Sequence, residues 1–68
     1  MELSARNQLA GRVTGVELGT IMSEITVELG GGQKIVAAIT RGSAEHLALA
    51  NGDDVTVFIK ATEVMLGK

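Results

Sequence analysis

A chain of 68 residues holds one small domain, and a core of that size leaves a thin margin of stability unless something staples it. With no cysteine and one histidine, His46, disulfides and a cysteine- or histidine-cluster metal site within one subunit are excluded, which leaves association between subunits as the staple. A net charge of −2, a single aromatic residue (Phe58) and no apolar run near the roughly 20 residues of a membrane span argue against a nucleic-acid binder and a membrane-spanning chain.

Residues 7–18 (NQLAGRVTGVEL) alternate apolar and polar, with Leu9, Gly11 and Val13 on one face and Val16 and Leu18 on the other. That change of phase near Gly15 predicts a bulge, which lets one strand bend and serve two sides of a barrel. Gly19-Thr20 is a turn. Residues 21–29 alternate strictly, with Ile21, Ser23, Ile25, Val27 and Leu29 on one face, as a half-buried antiparallel strand does. Gly30-Gly31-Gly32-Gln33 is a hairpin loop and residues 34–40 (KIVAAIT) the returning strand. Residues 41–49 (RGSAEHLAL) leave the period of two. Ala44, Leu47 and Ala48 fall at i, i+3 and i+4, which predicts a short helix capped by Thr40 or Ser43. After the turn Asn51-Gly52-Asp53, residues 54–61 form a strand with Val55, Val57 and Ile59 on one face, and Val64-Met65-Leu66 a last short one. The expected fold is all-β: a small five-stranded OB-like Greek-key barrel with one short helix between strands 3 and 4. A flat sheet with one open face is the alternative, and it would need a partner to cover its edges.

The hydrophobic fraction of 46% and mean hydropathy of +0.31 are high for a soluble chain of this length, so part of the apolar surface is expected to meet other copies. No basic segment followed by an apolar stretch opens the sequence, and the expected location is the cytoplasm.

Competent catalytic groups are few. Ser4, Ser23 and Ser43 sit in no G-x-S-x-G context, and His46 reads as a surface residue of the short helix, so no enzyme is expected. Gly30-Gly31-Gly32-Gln33-Lys34 lacks the spacing of a phosphate-binding loop and precedes a strand rather than a helix. Thr40-Arg41-Gly42-Ser43-Ala44 offers hydroxyls beside a helix start, either as ordinary capping or as donors to an anion. Arg6, with a rigid fork of donors, and Ser4 lie before the first strand, either as a solvated tail or as ligands. Lys60 interrupts an apolar strand, either as an edge charge that discourages aggregation or as a cation for a ligand. A tetrahedral oxyanion has four acceptor oxygens, so its site needs donors and no nearby carboxylate. Segments 4–6, 40–43 and 60–61 contain no Asp or Glu.

Ser4-Ala5-Arg6-Asn7-Gln8-Leu9 followed by Gly11-Arg12-Val13 resembles the S-A-R-N-x-[LF]-x-G-x-V opening of the molbindins, the molybdenum-pterin-binding or Mop proteins, whose module also occurs as the TOBE domain. Lys60-Ala61-Thr62-Glu63-Val64-Met65 is similar to the family's closing K-[SA]-[TS]-x-V-[ML]. The likeness spans essentially the whole chain, as one module over residues 1–68. It implies an OB-like barrel, and a homo-oligomer built as a hexamer, a trimer of dimers. Molybdate or tungstate would be held at subunit interfaces, for storage or buffering of cytoplasmic molybdenum without catalysis. Carried over by position, Ser4, Ala5 and Arg6 would donate to the anion, Thr40 and Ser43 would add hydroxyls, Lys60 charge, and Ala61 its backbone N–H. Some members carry serine where this chain has Ala61, so one hydroxyl donor is missing. The competing expectation is a ligand-sensing regulatory or interaction module that acts through another protein.

Overall fold

The computed structural model describes residues 4–68, so the first three positions of the expected module lie outside the described residues. Strands β1 (Asn7–Leu18), β2 (Met22–Leu29) and β3 (Lys34–Thr40) are followed by helix α1 (Arg41–His46), strand β4 (Asp54–Ile59) and a 3-10 turn at Ala61–Glu63. They form one antiparallel sheet in the order β3-β2-β1-β4. Three strands joined in sequence and a fourth returning beside the first is a Greek key.

The strand count differs from the sequence expectation: four rather than five. Val64-Met65-Leu66 pairs with no strand among the described residues, and its side chains are 47%, 92% and 95% exposed. The reason is topological. Both sides of β1 and β2 are already taken, and the 3-10 turn carries the chain off the end of β4. The tail runs along neither of the two free edges, so it forms no strand among the described residues. The sheet is therefore curled but open, with β3 and β4 as unpaired edges.

The curl begins at the expected bulge. Val13 opposes Val27 and Gly15 opposes Thr26, so Thr14 is the extra residue. The extra residue resets the alternation. Val16, which strict alternation places on the face away from Val13, turns back to pack against the same core. Val13 is 1% exposed, and its backbone is held from outside the sheet ladder. Its N–H donates to the Asp53 carbonyl (2.9 Å) and its carbonyl accepts from the Gly52 N–H (2.8 Å). The turn before β4 thus locks onto the bulge. At the other end of β1, Gly19 closes the turn into β2 by donating to the Met22 carbonyl (2.9 Å), and a methyl group there would collide with that same oxygen.

Val13, Ile25, Val27 and Ala44 are the buried core, with Val16, Leu29, Ala37, Ile39, Leu49, Val55 and Val57 packed around it. Ser23 is buried among them, 3% exposed, and its hydroxyl has no hydrogen-bond partner among the described residues.

The helix is shorter than residues 41–49. It ends at His46, Leu47 is 62% exposed, and Ala48 adopts φ 51°. The Leu49 N–H donates to the Ala44 carbonyl (3.2 Å) and the Ala48 N–H to the Glu45 carbonyl (3.0 Å), the pattern of a Schellman stop. Leu49, rather than Leu47, supplies the apolar contact to Ala44 that goes with this stop. The left-handed position in such a stop favours glycine. Ala48→Gly is therefore expected to raise stability by about 1 kcal/mol, and Gly19→Ala to lower it by a comparable amount or more. Urea unfolding at a fixed protein concentration checks both signs.

Candidate functional site

The ladder between β1 and β4 ends at the rung Asn7–Ile59. Arg6 precedes one side of that rung and Lys60 follows the other, so two exposed cations leave the sheet from the same place. Ser4 is exposed and Ala5 half-buried beside them. Two side-chain amides tie this corner. Asn7 Nδ2 donates to the Ile59 carbonyl (3.1 Å), and Gln8 Nε2 donates to the Ala5 carbonyl (3.1 Å). Lys60 has extended backbone and caps the 3-10 turn with its carbonyl, which accepts from the Glu63 N–H (2.9 Å). Ala61 opens the turn, so its own N–H has no acceptor within it. Among the described residues neither Arg6 nor Lys60 forms an ion pair. The nearest acid in sequence to Lys60 is Glu63, exposed at the end of the turn.

Thr40 and Ser43 are brought together at the start of α1. Thr40 is the N-cap, and its Oγ1 accepts from the Ser43 N–H (3.0 Å) while its hydroxyl donates to Ser43 Oγ (2.8 Å). The Thr40 proton is thereby used, and Ser43 keeps its own hydroxyl proton to donate elsewhere. No acid lies in the first turn of the helix.

One neighbouring residue was not singled out by the sequence reading. Arg41, the first residue of the helix, donates from Nε to Glu45 Oε1 (3.1 Å) and from Nη1 to the Gly19 carbonyl (3.5 Å). Its N–H donates to the Ile21 carbonyl (2.8 Å). The signal for the ion pair was present as an Arg-Glu spacing of four on a helix. That pairing makes Arg41 a fastener between the β1–β2 turn and α1.

The site residues thus form two sets. Arg6, Ala5, Lys60 and Ala61, with Ser4, cluster around one end of the β1–β4 ladder, whereas Thr40 and Ser43 sit where edge strand β3 ends. β3 and β4 are opposite edges of the sheet, and no hydrogen bond joins the two sets among the described residues. Gly30-Gly31-Gly32-Gln33 is the expected hairpin. The Leu29 N–H donates to the Gln33 carbonyl (2.7 Å), the Gly32 N–H to the Leu29 carbonyl (2.9 Å), and Gly32 takes φ 86°. His46 is exposed at the end of α1.

These features define a small all-β module that gathers cationic and N–H donors, without carboxylates, where two strands end. The TOBE domain model matches residues 3–66, and the chain belongs to the TOBE domain family. It is 44% identical over 66 residues to molybdenum-pterin-binding protein 1 of Clostridium pasteurianum, with 97% of each chain covered. It is 46% identical over 66 residues to the molybdenum transport protein ModE of Azotobacter vinelandii, where the match covers 97% of this chain but 24% of the larger one. Among solved structures, a molybdate-binding protein from Sporomusa ovata superposes with a TM-score of 0.94 at 41% identity, covering 100% of both chains. The cytoplasmic molybdate-binding protein ModG, with molybdate bound, gives a TM-score of 0.86 at 41% identity, covering 90% of this chain and 43% of that one.

The Thr40 cap is open to a direct check. Thr40→Val removes both of its hydrogen bonds and is expected to cost about 1 kcal/mol and to speed hydrogen exchange at the Ser43 amide, whereas Thr40→Ser restores both.

Proposed function

We propose that this protein binds molybdate, and tungstate as a tetrahedral dianion of similar size, at interfaces between copies of itself. It would act in the cytoplasm as a single module that stores or buffers the anion without chemical change. The observation that carries this reading is the corner where Arg6 and Lys60 leave one rung of the sheet, with Ala61 opening a turn beside them and no carboxylate among these residues. Two cations and free N–H donors complement a dianion, and donors set on the ends of paired strands need little rearrangement to receive it. The free-standing relative from Clostridium pasteurianum, matched end to end, and the molybdate-binding structural neighbours support the same ligand.

The placing of the ligand between copies rests on two features. First, Ser43 offers its hydroxyl proton at one edge strand, while Arg6 and Lys60 stand beside the other. A neighbouring copy can bring one set to the other. Second, the single chain is poorly covered. Met65 and Leu66 are exposed, the two edge strands are open, and an apolar cleft of about 220 Å³ lies between walls that include Ala37, Ile39, Val55, Val57 and Phe58. Association that buries these surfaces supplies the staple that a chain of this size lacks. A hexamer, built as a trimer of dimers, is the assembly we favour. Because the anion would be bound only in the assembled state, it should stabilise that state by linkage.

Calorimetric titration with molybdate is expected to give saturable heats that excess sulfate at matched ionic strength does not abolish. Arg6→Ala and Lys60→Ala are each expected to weaken binding by about tenfold or more, the scale of a lost charge-assisted hydrogen bond. Equal, weak and salt-sensitive heats from both anions would overturn the reading. In sedimentation, Met65→Lys combined with Leu66→Lys is expected to lower the assembled mass and to weaken molybdate binding with it; an unchanged mass would remove the tail from the interface.

A further inference from the structure

Two consecutive residues, Asn7 and Gln8, spend their side-chain amides on main-chain carbonyls, and both carbonyls lie next to candidate ligands. The Asn7 bond crosses from β1 to β4 and is half-buried, spanning 52 positions of sequence. The Gln8 bond is exposed and folds the preceding segment back onto the strand. Successive residues of a strand face opposite sides, so the two amides act on the corner from both faces.

The peptide geometry gives these bonds a directional consequence. The carbonyl of one residue and the N–H of the next belong to one rigid plane and point opposite ways in a trans peptide, and the described residues contain no cis peptide. When Asn7 Nδ2 holds the Ile59 carbonyl, the Lys60 N–H is turned away from Asn7. When Gln8 Nε2 holds the Ala5 carbonyl, the Arg6 N–H is turned away from Gln8. Each amide thus fixes the plane from which a cationic residue departs. Without them, both residues lie just beyond the last rung of the ladder, where strand ends otherwise fray.

The residue types fit this task. Asparagine is a poor strand former, and its use on the terminal rung calls for a return other than strand propensity. An aspartate would set an acceptor against the Ile59 carbonyl and a negative charge beside the anion. A leucine would fill the space and hold nothing.

We propose that Asn7, assisted by Gln8, is a positioning residue for anion binding: it touches no anion but fixes the peptide planes that lead into Arg6 and Lys60. The proposal rests on the anion-binding reading above and names the residues that preorganise that site.

The test measures two things on the same proteins. Backbone 15N relaxation on anion-free protein reports the order of Arg6, Lys60 and Ala61. Calorimetry with molybdate reports affinity. Asn7→Leu is expected to lower the order parameters at those three residues while leaving β2 and β3 unchanged, and to weaken molybdate binding by about tenfold, the upper end for one uncharged hydrogen bond. Gln8→Met, on the surface and safe for folding, is expected to act in the same direction by about two- to threefold. If the unaltered protein binds molybdate and both variants bind it equally well, the positioning role is overturned. Unchanged order at Arg6 and Lys60 overturns it as well, even if affinity falls. If the unaltered protein takes up no molybdate, the anion reading fails, and the role that rests on it fails with it.

Discussion

β1 is hydrogen-bonded on both sides, to β4 over Asn7–Arg12 and to β2 over Gly11–Leu18. The two ladders overlap at Gly11 and Arg12 alone. A twelve-residue strand that serves different partners along its two halves must bend between them, and the bend falls at Thr14. The extra residue there turns Val16 inward with Val13 and lets one strand line two walls of the same core. Gly11, in the overlap, has no room for a side chain, since a Cβ would meet Val27 and the Glu28 carbonyl. The bond pair from Val13 to Gly52 and Asp53 then aims β4 back along the first half of β1.

The position of the candidate site follows from that arrangement. Because β4 runs antiparallel to the opening of β1, the residue after β4 and the residue before β1 meet at a common end. The cations Arg6 and Lys60, 54 positions apart in the chain, become neighbours by register rather than by any attraction between them; as like charges they repel. A dianion between them, as proposed above, would relieve that repulsion. The same arrangement leaves β3 and β4 as open edges, and among the described residues the tail of the chain pairs with neither. One topology therefore produces both the cationic corner and the open edges of the sheet.

Much of this was legible in the sequence, and the reasons differ by element. The bulge was visible because two runs of alternation were out of phase around Gly15. The cap was visible because a hydroxyl stood immediately before the break in period, and Thr40 rather than Ser43 turned out to be the residue in extended conformation. The length of the helix was not legible. Ala48 in a left-handed conformation follows from Leu49 packing into the core, and nothing local in residues 47–49 announces that. The fifth strand failed for a related reason. Val64-Met65-Leu66 has a strand-forming composition, but a strand exists only where the chain runs along a free edge, and the 3-10 turn at Ala61–Glu63 takes the tail off the end of β4. The site residues lay in three separate segments, and their chemistry was readable as donors without acids. Their grouping into two sets came only from the register. For Arg41 the sequence carries only the spacing of four to Glu45, because its bond to the Gly19 carbonyl joins positions that the fold alone brings together.

The bulge at Thr14 also sets where this chain can change length over evolutionary time. Loss of a single codon there would restore strict alternation through β1 with Val13 and Val16 still facing the core, but it would remove the extra residue that bends the strand. β1 would then run straighter past the core, and its two halves could no longer line two walls of it. The hairpin at Gly30-Gly31-Gly32, where an added side chain would meet nothing within 4 Å, lies outside the ladders and sets no such bend. Insertions and deletions among relatives should therefore collect at the β2–β3 turn and be purged from the middle of β1, although both segments are short and rich in small residues.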